Sequence, residues 1–439
     1  MLAKFKKKYI GDWDFYQKYL LLAIPMILQN AITNLVSFLD NIMVGQLGTE
    51  QMSGVAIVNQ LIFVYNLAIF GAVSAASIFG AQYYGKRNHK GHMYSFRFKL
   101  YAALLVTGLT ILLFLTCGDN LISLYLTDTA GDGATDVALG YGLQYLGIMV
   151  VGLVPFAVNQ AYATNIKETG QTMVPMVASF VAVGSNALLD YLLIFGIGPF
   201  PKMGIEGAAL ATGLGQVVTL VLYLAFYFTR PLPVKIHKSC HVDRAMAGRL
   251  YAVGIPATLN MALPSLLITA LNGILSAYSQ VYVVVLGIYY KLQTFLYLPA
   301  NGIIQGMRPL IGYNYGAGET KRVHRLFADT LYLSLGIMLF GTVYCQLFPD
   351  SLIALFSSNP ETIHAGGMAL RIISLGFLVS SVSITSSGAL EGLGKGTPSL
   401  IISLCRYTII IIPAAFILSR IFGASGIWYA FGITEFATA

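Results

Sequence analysis

The chain has 439 residues, of which 56% are hydrophobic and only 10% are charged, and its mean hydropathy is +0.72. A soluble domain carries roughly 25% charged residues, so this chain has too few polar side chains to cover two or three soluble domains. The composition excludes a soluble enzyme, a secreted disulfide scaffold and a disordered regulator. It predicts an integral membrane protein.

About twelve runs of mostly apolar residues approach the length that crosses a bilayer as a helix, about 20 residues. The runs are continuous rather than alternating, which predicts an all-α protein and not a β-barrel. In chain order the predicted spans are 16–44, 53–80, 98–118, 135–160, 172–196, 204–229, 248–276, 281–310, 326–347, 361–390, 397–419 and 424–439. No small-residue cleavage site ends the first run, so we expect it to be retained. The last run is short, so we expect an incomplete helix there.

The basic residues lie mainly between the apolar runs, and their distribution predicts the orientation. With a cytoplasmic N-terminus, 21 of the 26 Lys and Arg residues fall in cytoplasmic segments, and only Lys202 and Arg420 fall outside. The positive-inside rule then predicts a multi-pass protein of the cell membrane with both termini in the cytoplasm. The formal charge of +8 therefore does not indicate a nucleic-acid partner.

The chain repeats itself around a polar segment, which predicts a lobe at 1–230, a cytoplasmic linker at 231–247 and a second lobe at 248–439. Ala23-Ile24-Pro25 matches Gly254-Ile255-Pro256, and Ala81-Gln82-Tyr83-Tyr84-Gly85 matches Gly312-Tyr313-Asn314-Tyr315-Gly316, both at an offset of 231; Gly204-Ile205-Glu206-Gly207 matches Gly423-Ala424-Ser425-Gly426 at 219. Six spans per lobe give both lobes one orientation, with a pseudo-twofold axis along the membrane normal, as in secondary transporters. No GxxxxGK[ST] motif is present, so we expect a gradient rather than ATP to drive transport.

Three acidic residues in the predicted spans, Asp40, Asp190 and Glu435, are candidates for function, because an unpaired carboxylate in a bilayer costs several kcal/mol. Asn186 and Asp190 are four residues apart and share a helix face. Carboxylate, amide and hydroxyl oxygens suit either Na⁺ coordination or proton uptake by a carboxylate pair. Hydrogen bonding between helices is the alternative for Asp40 and Asp190, and we expect Glu435 at the membrane interface.

Other polar residues of the spans are candidates for substrate contact or gating. Asn34 and Ser37 lie near Asp40 on the first span, and Pro25 permits a bend in that helix. The offset of 231 places Leu271 opposite Asp40, so the cation chemistry is expected in the first lobe alone. Lys291 is a gating or substrate-contacting candidate, with snorkelling or a salt bridge as the alternative.

Four stretches resemble motifs of the multidrug and toxic compound extrusion (MATE) family, and in the second half they are similar to the bacterial DinF- and MepA-type branch. They are Ile24-Pro25 with Asp40-Asn41-Ile42-Met43-Val44-Gly45-Gln46-Leu47-Gly48; Asn186-Ala187-Leu188-Leu189-Asp190 with Phe195-Gly196 and Gly204 to Thr212; Pro309 to Gly318; and Leu390 to Pro398. They are spread over essentially the whole chain.

The resemblance implies twelve helices in two six-helix lobes around a V-shaped cleft, and a monomer that exports organic cations in exchange for H⁺ or Na⁺. It implies a cation site at Asp40, Asn186, Asp190 and Thr212, whose oxygens would be metal ligands only for Na⁺. The expected partners are membrane lipid and small, mostly cationic drugs or metabolites, with no resident cofactor and no nucleic acid. NorM-type members also carry acids in the seventh and tenth helices, which the corresponding stretches of this chain, from Ile255 to Ser276 and within 361–388, lack at mid-span.

Two alternative functions predict different sequence features. A flippase for lipid-linked or polysaccharide precursors would have a cleft rich in Arg and Lys. An intramembrane enzyme would need a catalytic dyad or metal cluster, but the sequence has no HExxH or GxSxG motif. The six histidines fall in loops or at the ends of spans, where we expect them to be solvated, and the four cysteines show no metal-ligand spacing.

Overall fold

The computed structural model describes residues 13–125, 132–229 and 244–439, and all of its regular structure there is helical. Within these ranges the side chains of residues 13–23, 36–38, 132–135, 244–246, 249 and 250 are not described. The side chain of the predicted candidate Ser37 and residues 231–243 of the predicted linker 231–247 are thus not described. The all-helical membrane fold predicted from composition is confirmed, while the predicted domain boundaries stay a prediction.

The first half of the chain forms six helices. They are α1 (Trp13–Gly45), α2 (Thr49–Gly85), α3 (His89–Ser123), α4 (Asp132–Glu168), α5 (Met173–Phe195) and α6 (Ile205–Thr229). Asn88 caps α3 by accepting a hydrogen bond from the Gly91 amide at 3.0 Å. Gly196 ends α5 in the left-handed conformation, with φ of 70°.

The second half forms three long helices and a set of shorter segments. They are α7 (Arg244–Ser276), α8 (Gln280–Gly316), α9 (Thr320–Leu347), α10 (Pro349–Ala354), α11 (Pro360–Ser374), α12 (Phe377–Gly392), α13 (Gly396–Leu404), a π-helical turn (Cys405–Ile409), α14 (Ile411–Phe422) and α15 (Ser425–Thr438). The bounds of α7 and α8 equal those of α1 and α2 shifted by 231 residues. The sequence repeat is therefore also a repeat of helices.

Two predicted spans of the second half are interrupted. The span predicted at 361–390 consists of α11 and α12, which are bent by 55° where they join. Gly376 lies at this join, and glycine is the poorest helix former after proline. The span predicted at 397–419 contains the π-helical turn, in which the Ile410 amide donates to the Cys405 carbonyl at 3.0 Å. Such a turn inserts one extra residue into a helix.

Nine helices of the described residues are long and apolar enough to cross a membrane, and the bent pair α11–α12 is a tenth span. Adding α1 and the 14-residue α15 accounts for the twelve predicted spans. Many leucines of α3 are exposed, and those at positions 105, 109, 112 and 115 are at least 60% exposed. An exposed apolar helix face of this kind contacts lipid.

The chain divides into two compact units. The first unit, Leu28–Gly254, has a core that includes Val58, Ile69 and Ala157. The second unit comprises Ile255–Ala439 together with the described part of Met1–Ile27, and its core includes Leu271, Ala415 and Trp428. Each unit thus has its own apolar interior.

Glycines set how closely the helices of the first unit approach one another. A Cβ atom on Gly54 of α2 would lie 2.6 Å from the Ala138 carbonyl oxygen and 2.8 Å from the Gly142 amide nitrogen of α4. A Cβ on Gly152 of α4 would lie 3.2 Å from the Cα of Gly213 on α6. Larger residues at these places would separate the helices.

Candidate cation site

Three of the four predicted cation-site residues lie on two helices of the first unit. Asp40 is near the end of α1 and half-buried, while Asn186 and Asp190 lie one turn apart on α5. The Asp190 residue is only 1% exposed and Asn186 only 6%. A carboxylate this enclosed needs a compensating charge, a proton or hydrogen-bond donors.

The two carboxyl groups are neighbours, because Asp40 and Asp190 lie close enough to interact directly, and Asn186 lies beside Asp190. Their polar atoms are nevertheless poorly satisfied. Asp40 Oδ1, both carboxylate oxygens of Asp190 and both amide atoms of Asn186 are enclosed without a hydrogen bond of ordinary geometry. Such a set of buried oxygens is suited to accept a cation or a proton.

Thr212 lies on α6 at the level of the acid pair. A Cβ on Gly207 would lie 2.8 Å from the Leu193 carbonyl, and a Cβ on Gly215 would lie 3.4 Å from the Cβ of Asn186. These two contacts fix α5 and α6 as neighbours that run in opposite directions. Thr212 falls between the two contacts along α6, as Asp190 does along α5.

Tyr145 of α4 is a member of this neighbourhood that the sequence analysis missed. It is 5% exposed, and it lies near enough to interact electrostatically with Asp40 and Asp190. Its position in an apolar stretch gave no sequence signal. In addition, Gln29 of α1 donates to Ser179 of α5 at 2.9 Å, which links the two helices that carry the acids.

The predicted gating residues are not gathered into one place within either unit. Pro25 is buried inside α1, in the part of that helix that belongs to the second unit. Asn34 is exposed and belongs to the first unit. Lys291 is exposed on α8, with its Nζ 6.0 Å from the centre of the Phe356 ring.

A second buried charge cluster of the first unit corrects the expectation that the histidines are solvated. Lys99 of α3 forms an ion pair with Glu168 of α4, and both side chains are fully buried. His92, predicted to be solvated, is 0% exposed; its Nε2 contacts Asn165 Oδ1 at 2.8 Å and its Nδ1 contacts the Gly80 carbonyl at 2.9 Å. Because His92 lies in the first turn of α3, the sequence predicted a solvated side chain. In the structure, α2 and α4 pack against its ring and exclude solvent.

The second unit holds more buried acids than Glu435 alone. Asp329 is 1% exposed and Glu391 is 5% exposed; Asp329 lies inside the span predicted at 326–347, and Glu391 lies next to the one predicted at 361–390. Glu391 is bound by Arg308 at 3.0 Å and by Asn260 at 2.9 Å.

Glu435 is paired with a basic side chain, while its expected place at the membrane interface stays a prediction. The Nη2 of Arg406 lies 2.6 Å from Glu435 Oε1, and the two side chains are 7% and 13% exposed. This ion pair connects the π-helical turn, which carries Arg406, to α15, which carries Glu435.

The second unit has an apolar counterpart to the acid pair. A Cβ on Gly426 would meet the backbone of Leu418 as one on Gly207 meets Leu193, which aligns Asn186 with Ile411 and Asp190 with Ala415. Leu271, the counterpart of Asp40, is 0% exposed, and Ile411 and Ala415 are 3% and 0% exposed. All three belong to the apolar core of the second unit, so the acid pair is not duplicated.

The model of the MatE family matches residues 25–192 and 256–417, which is most of the chain and includes both repeats. The chain belongs to the MatE family. Among curated MatE-type relatives, the probable multidrug resistance protein NorM of Thermotoga maritima is 26% identical over 412 residues, covering 93% of this chain and 87% of that protein. The multidrug export protein MepA of Staphylococcus haemolyticus is 22% identical over 434 residues, covering 97% and 92%.

Solved MATE structures share the fold of this MatE protein. A crystal structure of MATE in the bent conformation superposes with a TM-score of 0.87 at 21% identity, covering 96% of this chain and 92% of that one. This likeness confirms the twelve-helix fold class, and with the family it makes the chain a multi-pass membrane protein.

Proposed function

We propose that this MatE protein is a secondary active multidrug antiporter of the plasma membrane, which exports organic cationic or amphipathic compounds in exchange for H⁺ or Na⁺. The relatives named above, a probable multidrug resistance protein and a multidrug export protein, support multidrug export. The observation that carries the proposal is the pair of neighbouring carboxyl groups, Asp40 and Asp190, enclosed in the first unit with unsatisfied oxygens.

The coupling ion binds at this pair in the proposed cycle. If H⁺ is the ion, the two carboxyl groups take it up and release it, with Asn186 and Tyr145 fixing their orientation. If Na⁺ is the ion, the carboxylates, the amide oxygen of Asn186 and the hydroxyl of Thr212 supply the oxygen ligands that a hard cation requires. Among the described residues no group of three or more His, Cys, Asp or Glu side chains is arranged to hold a metal, so the proposed Na⁺ site depends on these neutral oxygens.

Exchange follows if the ion and the organic cation prefer different conformations. An ion at Asp40 and Asp190 favours the conformation from which substrate leaves on the outside, and substrate favours the other. Each ligand then lowers the affinity for the other by the same factor. Inward movement of the ion down its gradient thereby drives export.

The structure favours an exporter of cations over a flippase for anionic lipid-linked precursors. A flippase would need basic side chains free to hold phosphate. Lys99, Arg308 and Arg406 each pair with a carboxylate instead. Lys291 is exposed over the Phe356 ring and is the exception, while the acid pair has no basic partner among its described contacts.

Replacement of Asp40 tests the role of the pair. We expect Asp40→Asn to abolish drug resistance in cells, with the protein still present in the membrane, because the amide neither binds a proton at physiological pH nor carries charge for Na⁺. Asp119→Asn is the matched control, since Asp119 is exposed on α3, and it should leave resistance unchanged. Full resistance in cells that express Asp40→Asn normally would contradict the proposed role.

Transport in proteoliposomes, with the Na⁺ and H⁺ gradients imposed separately, identifies the ion. We expect one of the two gradients to drive accumulation of a fluorescent organic cation, and Asp40→Asn to lose that response. Equal transport with every gradient collapsed would overturn the antiport proposal as a whole.

A further inference from the structure

In the Arg406–Glu435 pair of the second unit, the guanidinium is held by the carboxylate as a bound cation would be held by a binding site. Two guanidinium nitrogens, Nε and Nη2, donate to one carboxylate oxygen of Glu435 at 2.9 and 2.6 Å. Ser383 of α12 approaches the other oxygen at 3.4 Å. The carboxylate thus holds a planar cation on one side and a hydroxyl on the other.

Tyrosines surround the pair. The Cζ of Arg406 lies 5.2 Å from the centre of the Tyr407 ring, within the range of a cation–π contact. Tyr289, Tyr290 and Tyr297 of α8 all lie near enough to interact electrostatically with Arg406. A carboxylate among aromatic rings is the surrounding by which proteins recognise guanidinium and ammonium head groups.

Two of these tyrosines are anchored differently. The hydroxyl of Tyr297 is hydrogen-bonded to Ser380 at 2.8 Å, which fixes its ring. The hydroxyl of Tyr290 is enclosed without a hydrogen-bond partner. The Tyr290 hydroxyl is therefore a hydrogen-bonding group beside the guanidinium that makes no hydrogen bond.

The repeat shows that packing alone does not require these charges. Gly170 and Gly394 both have positive φ, 82° and 78°, and each lies two residues after the end of its helix, α4 or α12. Their offset of 224 aligns Asn159 with Ser383 and Ala182 with Arg406. The offset of 219 aligns Gln216 with Glu435. In the first unit, Asn159 donates to Gln216 Oε1 at 3.1 Å, so two neutral amides make the contact that Ser383 and Glu435 make in the second unit.

We propose that Glu435, Ser383 and the surrounding tyrosines form a binding site for a guanidinium-type organic cation, and that the chain's own Arg406 is its resident occupant. The guanidinium keeps the site closed. This consequence rests on the proposed function: while the site is closed, the coupling ion does not reach Glu435, and ion exchange takes place only in the first unit.

Emptying the site by Arg406→Ala tests the proposal. The lost atoms beyond Cβ correspond to N-ethylguanidinium, which is the probe, and N-ethylurea is its uncharged analogue. We expect purified Arg406→Ala to unfold at a lower temperature than the wild type. N-ethylguanidinium should raise that Tm progressively with the logarithm of its concentration, as for a ligand that binds only the folded state, and N-ethylurea and NaCl should not.

Three matched proteins give the controls. The wild type should not respond, because its site is filled. Arg406→Ala/Glu435→Gln should not respond, because the carboxylate is gone. Arg420→Ala should behave as the wild type, since Arg420 lies over the Phe416 ring at 5.1 Å but is exposed. An equal response in the double variant, or no response in Arg406→Ala, would overturn the proposal.

Arg406→Ala could fail to fold without its guanidinium, and the experiment covers this case. Expression and purification in N-ethylguanidinium should then recover folded protein, judged by a single symmetric peak in size-exclusion chromatography. If the compound recovers nothing while the charge-neutral Arg406→Met/Glu435→Gln variant folds, the site does not exist as proposed. These measurements use no transport, so their failure is distinguishable from failure of the antiport proposal.

Discussion

Glu168 lies in the interior of the first unit, where its carboxylate rests against the α2 backbone at Gly80, and a Cβ on Gly80 would collide with it. Its charge is matched by Lys99, and His92 lies 3.9 Å from its second oxygen. A buried ion pair contributes little net stability, because desolvation of the two charges offsets their attraction, but loss of one partner leaves an isolated buried charge. The pair therefore makes stability depend on both residues together.

Replacement of Lys99 alone should be strongly destabilising. We expect Lys99→Met to lower the free energy of unfolding by about 3–5 kcal/mol, because it leaves the Glu168 carboxylate unpaired. Lys99→Met/Glu168→Gln should regain most of this loss. Thermal or denaturant unfolding of the purified proteins measures both, with Lys86→Met at an exposed position as the control.

The residue scale is also where the sequence was least informative. Asp40 and Asp190 could be singled out because a carboxylate in an apolar run is costly wherever the chain folds, and Asn186 because it lies one helical turn before Asp190. The partners of Glu435 and Glu168 could not, because Arg406 and Lys99 lie 29 and 69 residues away in the chain. Only packing of separate helices decides which of these charges meet.

Helices of the first unit are held close by small residues and by hydrogen bonds across the interfaces. Tyr65 of α2 makes two of these bonds, with Thr107 Oγ1 of α3 and with the Leu153 carbonyl of α4, both at 2.9 Å. Its side chain is thereby tied to two neighbouring helices. In lipid such packing and hydrogen bonds take the place of a hydrophobic driving force between helices.

Close approach of α2 and α4 should make Gly54 intolerant of substitution. We expect Gly54→Ala to lower the free energy of unfolding by about 1–3 kcal/mol, because its new methyl group meets backbone atoms of α4. Gly140→Ala is the matched control on α4 itself, where a Cβ meets nothing within 4 Å. A stability of Gly54→Ala equal to that of the Gly140→Ala variant would show that α2 and α4 separate at no cost.

At the scale of helices, the internal repeat predicted helix bounds more precisely than the hydropathy of the spans did. The offset of 231 gives α7 and α8 the bounds of α1 and α2. It did not predict the bend between α11 and α12 or the π-helical turn, because α4 and α5 have no such breaks. Local departures from helix geometry depend on neighbouring packing, which hydropathy does not contain.

Across the whole molecule, the distribution of basic residues predicts which loops face the cytoplasm. A cysteine replacing Lys202 should react with a membrane-impermeant maleimide in intact cells, and a cysteine replacing Lys86 should react only after permeabilisation. Both positions are exposed. Mass-shift labelling, in a background without the native cysteines, measures this; labelling of Lys86→Cys in intact cells would reverse the predicted orientation.

The membrane class, the helical spans, the internal repeat and the candidate acids Asp40 and Asp190 can be predicted from the sequence, since each depends on local composition or on matching stretches of the chain. The tertiary structure decided that Asp40 and Asp190 meet, where Tyr145, His92 and Arg406 lie, and which apolar residues of the second unit correspond to Asn186 and Asp190. These features depend on which helix faces meet, and a helix of mostly apolar residues can pack on several sides with similar energy. The buried polar side chains make one packing specific, and their partners become known only once the helices are in place.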